Sequence, residues 1–244
     1  MTSGHVIVAP DKFKGSLTAV EVARHVAAGL PVEATIAVRD DVALVELAQA
    51  SGLALMPAGR LDPLGATSAG TGEMVRAALD AGCRRLVLGL GGSACTDGGA
   101  GMAAALGMHL LDRAGRPLAP GGGALVDLDR VVLDDWDERL AGVVVEVASD
   151  VDNPLLGPTG AASVYARQKG ASADQVVRLE AGLARWAAVL GEQLGTDHTT
   201  RAGAGAAGGV GFAAMALLGA TVRPGIDVVL EVAGFARCSR VPHW

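Results

Sequence analysis

Leu88-Gly89-Leu90-Gly91-Gly92-Ser93-Ala94-Cys95-Thr96-Asp97-Gly98-Gly99 is the stretch on which the reading of this chain turns. The apolar run Leu86 to Leu90 reads as a buried strand, and a helical pattern over Gly98 to Leu106 follows, with Gly107 as terminator. Strand, glycine turn, helix is an arrangement that suits an anion. Glycines lack the Cβ atoms that would screen backbone N–H groups, and a helix start carries partial positive charge. The bare amides of Gly91 and Gly92 and the hydroxyls of Ser93 and Thr96 are candidate phosphate donors, and Asp97 is a candidate to orient a substrate hydroxyl or hold a metal ion. The loop is neither a Walker A, which would place a lysine here, nor a GxGxxG dinucleotide turn. A tight turn with Asp97 capping the helix accounts for the same residues without a ligand.

A second stretch has the same construction. Val143 to Val147 reads as a buried strand and runs into Ser149-Asp150-Val151-Asp152-Asn153-Pro154-Leu155. Carboxylates so close repel one another unless a cation, a proton or solvent lies between them. One reading is a site for Mg²⁺ or a substrate hydroxyl, with the Asn153 amide as a further donor; the other is an Asx turn leaving a strand. Gln168-Lys169-Gly170 closes the next helix, where Lys169 can neutralise an anion or simply complement the helix C-terminus. Near the amino terminus, Val6 to Ala9 reads as a strand, and Pro10-Asp11-Lys12-Phe13-Lys14-Gly15-Ser16 lies beyond its end, the position of a ligand crevice in α/β sheets or of an ordinary solvated loop. Thr67 to Glu73, including Thr71, is another small-residue helix start that can touch a ligand or cap.

Strands alternating with helices indicate an α/β fold. Thr18-Ala19-Val20-Glu21 has capping-box spacing and predicts a helix to about Ala28. Pro31 to Val38 reads as a strand, Val42 to Gln49 as strand or short helix, and Ser68 to Leu79 as a helix ended by Gly82. Ser172 to Gln193 is the longest helical pattern, with Val176, Leu179, Leu183, Trp186, Val189 and Leu190 on its apolar face. Thr196 to Gly209 reads as a small-residue loop and Val210 to Leu218 as a helix, while Ile226 to Ala233 fits either helix or strand.

With 50% hydrophobic but only 3% aromatic residues among 244, the core must be built from Ala, Val and Leu with close backbone packing. A net charge of −6 without a basic run excludes nucleic acid as an expected partner. The cysteines, Cys83, Cys95 and Cys238, form no CxxC and an odd count, which argues against a disulfide framework. No uninterrupted apolar run is long enough for a membrane span, and Asp11 and Lys12 interrupt the only run that a leader peptide could use, so a cytoplasmic protein is expected. The histidines show no ligand spacing.

The motifs resemble those of bacterial glycerate kinases of the two-domain type that use ATP and Mg²⁺. Ala9 to Leu17 is similar to that family's amino-terminal signature and Gly91 to Gly101 to its central glycine motif. Asp150 to Pro158, Gln168 to Ala171 and Gly203 to Gly211 resemble its later motifs. The resemblance implies an inserted α/β domain at 31–226, a remnant of a Rossmann-like first domain at 1–30, and a truncated return segment at 227–244. It implies phosphoryl transfer from ATP to D-glycerate, giving 2-phosphoglycerate. Residues that fit that chemistry are Asp150, Lys12 and Asp97 as catalytic groups; Gly91, Gly92, Ser93, Thr96 and Lys169 for the nucleotide; Asp11, Lys14, Asn153 and Thr71 for the substrate; and Asp152 for the metal.

The chain also departs from the family pattern. An Asp-Gly-Gly-Glu-Gly-Thr loop is absent, Gly29-Leu30 runs straight into a later part of the pattern, and Ala166-Arg167 stands where Gly-Pro is usual. Weak or absent kinase activity of the chain alone is therefore expected, and the Val6 to Ala9 edge points to self-association as a homo-oligomer. A non-catalytic ligand-binding or scaffold protein built from the same domain is the competing expectation. A third is an α/β enzyme acting on another small hydroxy acid.

Overall fold

A computed structural model describes residues 18–23, 32–57 and 59–232 of the chain. Val6 to Ala9, Asp11, Lys12 and Lys14 lie outside the described residues, as does the segment from 233 onward. The framework is a six-stranded sheet in the order β1 (Thr18–Ala23), β2 (Glu33–Arg39), β3 (Val42–Glu46), β4 (Arg85–Gly89), β7 (Val144–Ala148), β8 (Thr221–Arg223). From β3 to β8 the pairing is parallel, with Leu44, Val87, Glu146 and Thr221 in register, whereas β1–β2 and β2–β3 are antiparallel. A separate two-stranded ribbon pairs β5 (His109–Leu111) with β6 (Arg130–Val132).

The expected central strands are found where the apolar runs lie. Leu86, Val87 and Leu88 of β4 are buried on both faces, as a parallel strand covered by helices must be. Val42 to Gln49 divides: β3 ends at Glu46, and the short α1 (Ala48–Ser51) begins after Leu47. Over Thr18–Ala23 the expected helix is not formed. Thr18–Ala23 is β1, paired from Thr18 opposite Val38 to Ala23 opposite Glu33. Thr18, Val20 and Val22 recur with a period of two, and a continuous ladder along β2 outweighs a four-residue capping signal, because helix initiation is costly without tertiary support.

The apolar core has two parts. One packs α2 (Ala69–Asp80) against the strands through Ile36, Val45, Met74, Leu86 and Leu88. The other gathers Leu125, Leu155, Leu179, Leu183, Trp186 and Phe212 beneath α5 (Ala173–Leu194). The apolar face read for α5 is the buried one, with Val176 only partly covered. Its start carries a Ser172–Gln175 capping box. No helix among the described residues is long and apolar enough to cross a membrane.

With so few aromatics, close packing falls to backbone. The segment that feeds α6 (Ala206–Leu218) is left-handed at Ala207, Gly208 and Gly209, so regular helix begins at Val210, where the sequence pattern placed it. There Gly208 lies against the loop after β4: the Gly98 N–H donates to the Gly208 carbonyl at 3.0 Å, and a Cβ on Gly208 would fall on the Cys95 carbonyl oxygen. Gly208 also has φ +69°, which disfavours any L side chain. Gly208→Ala is therefore expected to cost about 3 kcal/mol, since strain and overpacking add. A urea titration would measure it; an unchanged midpoint would show that the two backbones part freely.

Candidate active site

The loops that follow β4 and β7 leave the same, carboxyl edge of the parallel strands, where α/β proteins place ligands. The structure divides the candidate residues there between a buried region and an open one.

Asp97 is at the centre of the buried region, 1% exposed. Its Oδ2 accepts from the Ser68 N–H at 2.7 Å, the Ser68 hydroxyl at 2.9 Å, the Thr67 hydroxyl at 3.3 Å and the Gly101 N–H at 3.2 Å. Its Oδ1 accepts from the Gly99 N–H at 3.1 Å. One carboxylate thus ties together the starts of α2 and α3 (Ala100–Ala105), where its charge also meets the positive helix ends. Thr71 is fully buried, its hydroxyl donating to the Ser51 hydroxyl at 3.1 Å between α1 and α2.

Lys169 lies beneath the glycine loop, 3% exposed. Its ammonium donates to the Ser93 hydroxyl at 2.8 Å and the Cys95 carbonyl at 2.6 Å. Burial pulls its pKa below the usual lysine range, and the nearby Cys95 and Asp97 oppose that shift. Burial likewise pushes the Cys95 thiol above its ordinary range, so it is a neutral packing group. From the far side, the Trp186 indole N–H donates to the Gly98 carbonyl at 2.9 Å. The loop is thus gripped by Lys169, Trp186 and Gly208, while Gly91 and Gly92 stay exposed at its outer edge. The Thr96 hydroxyl is buried without a hydrogen-bond partner among the described residues. The grips by Trp186 and Gly208 were not read from the sequence. Trp186 sits on a periodic apolar face and announces only core, and nothing local marks Gly208 as a neighbour of Cys95.

Asp150 and Asp152 are exposed on the open region, a depression of about 750 Å³ at the ends of β7 and β8 that Arg201 and Arg223 also line. Asp150 Oδ1 accepts from the Gly225 N–H at 2.9 Å, at the first residue of α7 (Gly225–Val232). Arg223 is paired with Glu146 at 3.2 Å. Asn153 is committed within its own neighbourhood. Its amide donates to the Thr159 carbonyl at 2.8 Å, and its oxygen accepts from the Tyr165 hydroxyl at 2.7 Å, just inside α4 (Ala161–Tyr165). The buried and open regions are joined by the segment before α6: the Leu155 N–H donates to the Thr199 carbonyl and the Gly205 N–H to the Asn153 carbonyl, both at 2.8 Å. No group of three or more His, Cys, Asp or Glu side chains suited to a metal occurs among the described residues.

The family model described as "Glycerate kinase family" matches residues 28–241. The chain is 40% identical to a glycerate kinase of Bacillus subtilis, an alignment that covers 94% of this chain and 72% of the relative. It is 38% identical to the glycerate 2-kinase of Escherichia coli, over 92% and 71% of the two chains. A crystal structure from Salmonella typhimurium LT2, assigned as a glycerate kinase 2, superposes with a TM-score of 0.88 at 42% identity, covering 91% of this chain. The present chain spans 60% of that solved chain. On this sequence match and shared fold, the chain belongs to the glycerate kinase family.

Proposed function

We propose that the open depression is the acceptor site of an ATP-dependent kinase acting on D-glycerate to give 2-phosphoglycerate. The observation that carries this reading is the joint exposure of Asp150 and Asp152 on one cavity at the carboxyl edge of the sheet, in a chain of this family. Asp150, whose Oδ1 is steadied by Gly225, is the group to orient the acceptor hydroxyl and take its proton as the oxygen attacks the γ-phosphorus. The bond from that phosphorus to the β,γ-bridging oxygen breaks, and ADP leaves.

Asp152 is the candidate metal ligand. Mg²⁺ characteristically takes one or two carboxylates and completes its shell with water and substrate phosphate, so an exposed pair of acids fits it without a third protein ligand. When bound, it would neutralise phosphate charge. The exposed Gly91 and Gly92 amides are the proposed phosphate donors, while the Thr96 hydroxyl, expected beside them, is buried inside the loop. Lys169 and Ser93 are assigned to hold that loop in shape rather than to meet the nucleotide, because both are buried and the ammonium donates to the Ser93 hydroxyl and the Cys95 carbonyl.

Slow turnover is proposed for this chain by itself. The alignment with the Bacillus subtilis relative extends over 276 residues, more than the 244 of this chain, so it must skip positions of the relative. The acidic Asp-Gly-Gly-Glu-Gly-Thr loop is absent from the sequence. That absence also supports the second reading, a binding protein without catalysis. An assay of ADP release with D-glycerate, together with calorimetry of glycerate binding, separates the two. Low but glycerate-dependent ADP release is expected. Binding with no release would establish the second reading, and no binding would end both.

Two substitutions should behave differently. Asp150→Asn is expected to lower turnover by about 100-fold while leaving stability nearly unchanged, because asparagine can still accept from the Gly225 N–H. Asp97→Asn is expected to cost about 3 kcal/mol of stability, since an amide offers fewer acceptors to a cluster of N–H and O–H donors. If denaturant unfolding shows Asp97→Asn as stable as the parent, its assignment as the tie between α2 and α3 fails.

A further inference from the structure

We propose that Arg201 is the anion anchor of the acceptor site, its guanidinium gripping the substrate carboxylate while Asp150 faces the hydroxyl end. This rests on the glycerate reading of the depression and adds the residue that selects for an acid.

The first argument is electrostatic. The exposed carboxylates of Asp150 and Asp152 line the cavity, and a carboxylate substrate entering it meets repulsion of about 1 kcal/mol from each charge at 4 Å even in water. A fixed cation must offset that. Of the two guanidinium groups that line the depression among the described residues, Arg223 is already paired with Glu146. Arg201 is exposed and has no side-chain hydrogen bond or ion pair among the described residues. Its planar fork matches a carboxylate through two parallel hydrogen bonds, which an ammonium cannot reproduce.

The second argument is positional. The Arg201 backbone is held on both sides: its N–H donates to the His198 carbonyl at 3.2 Å, and its carbonyl accepts from the Ala204 N–H at 3.0 Å. That turn is bonded to the strand-exit loop through the Leu155–Thr199 and Gly205–Asn153 contacts. The origin of the arginine side chain is therefore fixed relative to Asp150 and Asp152, while the side chain itself is available. Gripping the carboxylate also sets which hydroxyl reaches Asp150, because the 2-hydroxyl is on the adjacent carbon and the 3-hydroxyl one carbon further.

The test is calorimetric titration of the full chain and of Arg201→Gln and Arg201→Lys with D-glycerate and with methyl D-glycerate, which keeps both hydroxyls but not the charge. The parent is expected to prefer glycerate to the ester. Arg201→Gln should bind glycerate about tenfold more weakly, the loss of one charge-assisted contact, without a change in melting temperature and without preference between acid and ester. Arg201→Lys should recover part of the loss. Added salt should weaken the parent's binding more than that of Arg201→Gln. Equal glycerate affinity of the parent and Arg201→Gln would overturn the anchor while leaving the glycerate reading intact. A parent that binds no glycerate, or shows no preference over the ester, would overturn the anchor as well, and in the first case the glycerate reading with it.

Discussion

The architecture at the ligand edge depends on one buried carboxylate. Asp97 collects donors from Thr67, Ser68, Gly99 and Gly101, and in doing so fixes where α2 and α3 begin relative to the loop between them. A buried charge is tolerable only when hydrogen bonds replace its lost hydration, and here several donors, backbone and hydroxyl, do so. Lys169 makes a second polar strut, to Ser93 and Cys95 of the same loop. The exposed glycines at the loop's edge are thereby presented by a rigid base, which is the condition for backbone amides to act as preorganised anion donors.

The chemistry of the open depression is of a different kind. Its two aspartates and Arg201 are exposed, so its electrostatics are tunable by salt and by what binds. The proposed division of labour follows: inner groups hold shape, outer groups meet ligand. Asp97 and Asp150, which look equivalent as loop aspartates in the sequence, differ because one is enclosed by two helix starts and the other faces water beside a third.

Much of this was legible from residue order. β4 is visible because Leu86, Val87 and Leu88 run unbroken across both faces of a covered parallel strand, β7 because its valines mark a strand even though Glu146 interrupts them, and α5 because its apolar set recurs with helical period. Thr18–Ala23 was misread because its helix signal is local, whereas its partner, β2, lies ten or more residues onward. The burial of Lys169 and the engagement of Asn153 were not legible. Each side chain suits either solvent or an internal partner, and the choice is made by Ser93, Cys95, Thr159 and Tyr165, which only the fold brings near. The Asp97 capping alternative was visible from its spacing before α3, but its bonds to Thr67 and Ser68 join residues about thirty positions apart.

The contact of Gly98 with Gly208 carries a consequence for how such a loop can be altered. Its shape comes from side chains that are missing on two distant segments at once, so neither segment holds the conformation in isolation. Transplanting the central glycine motif alone into another α/β scaffold would carry over half a mould. The two segments form a single inheritable unit, and a change on one is tolerated only when its opposite keeps the space clear.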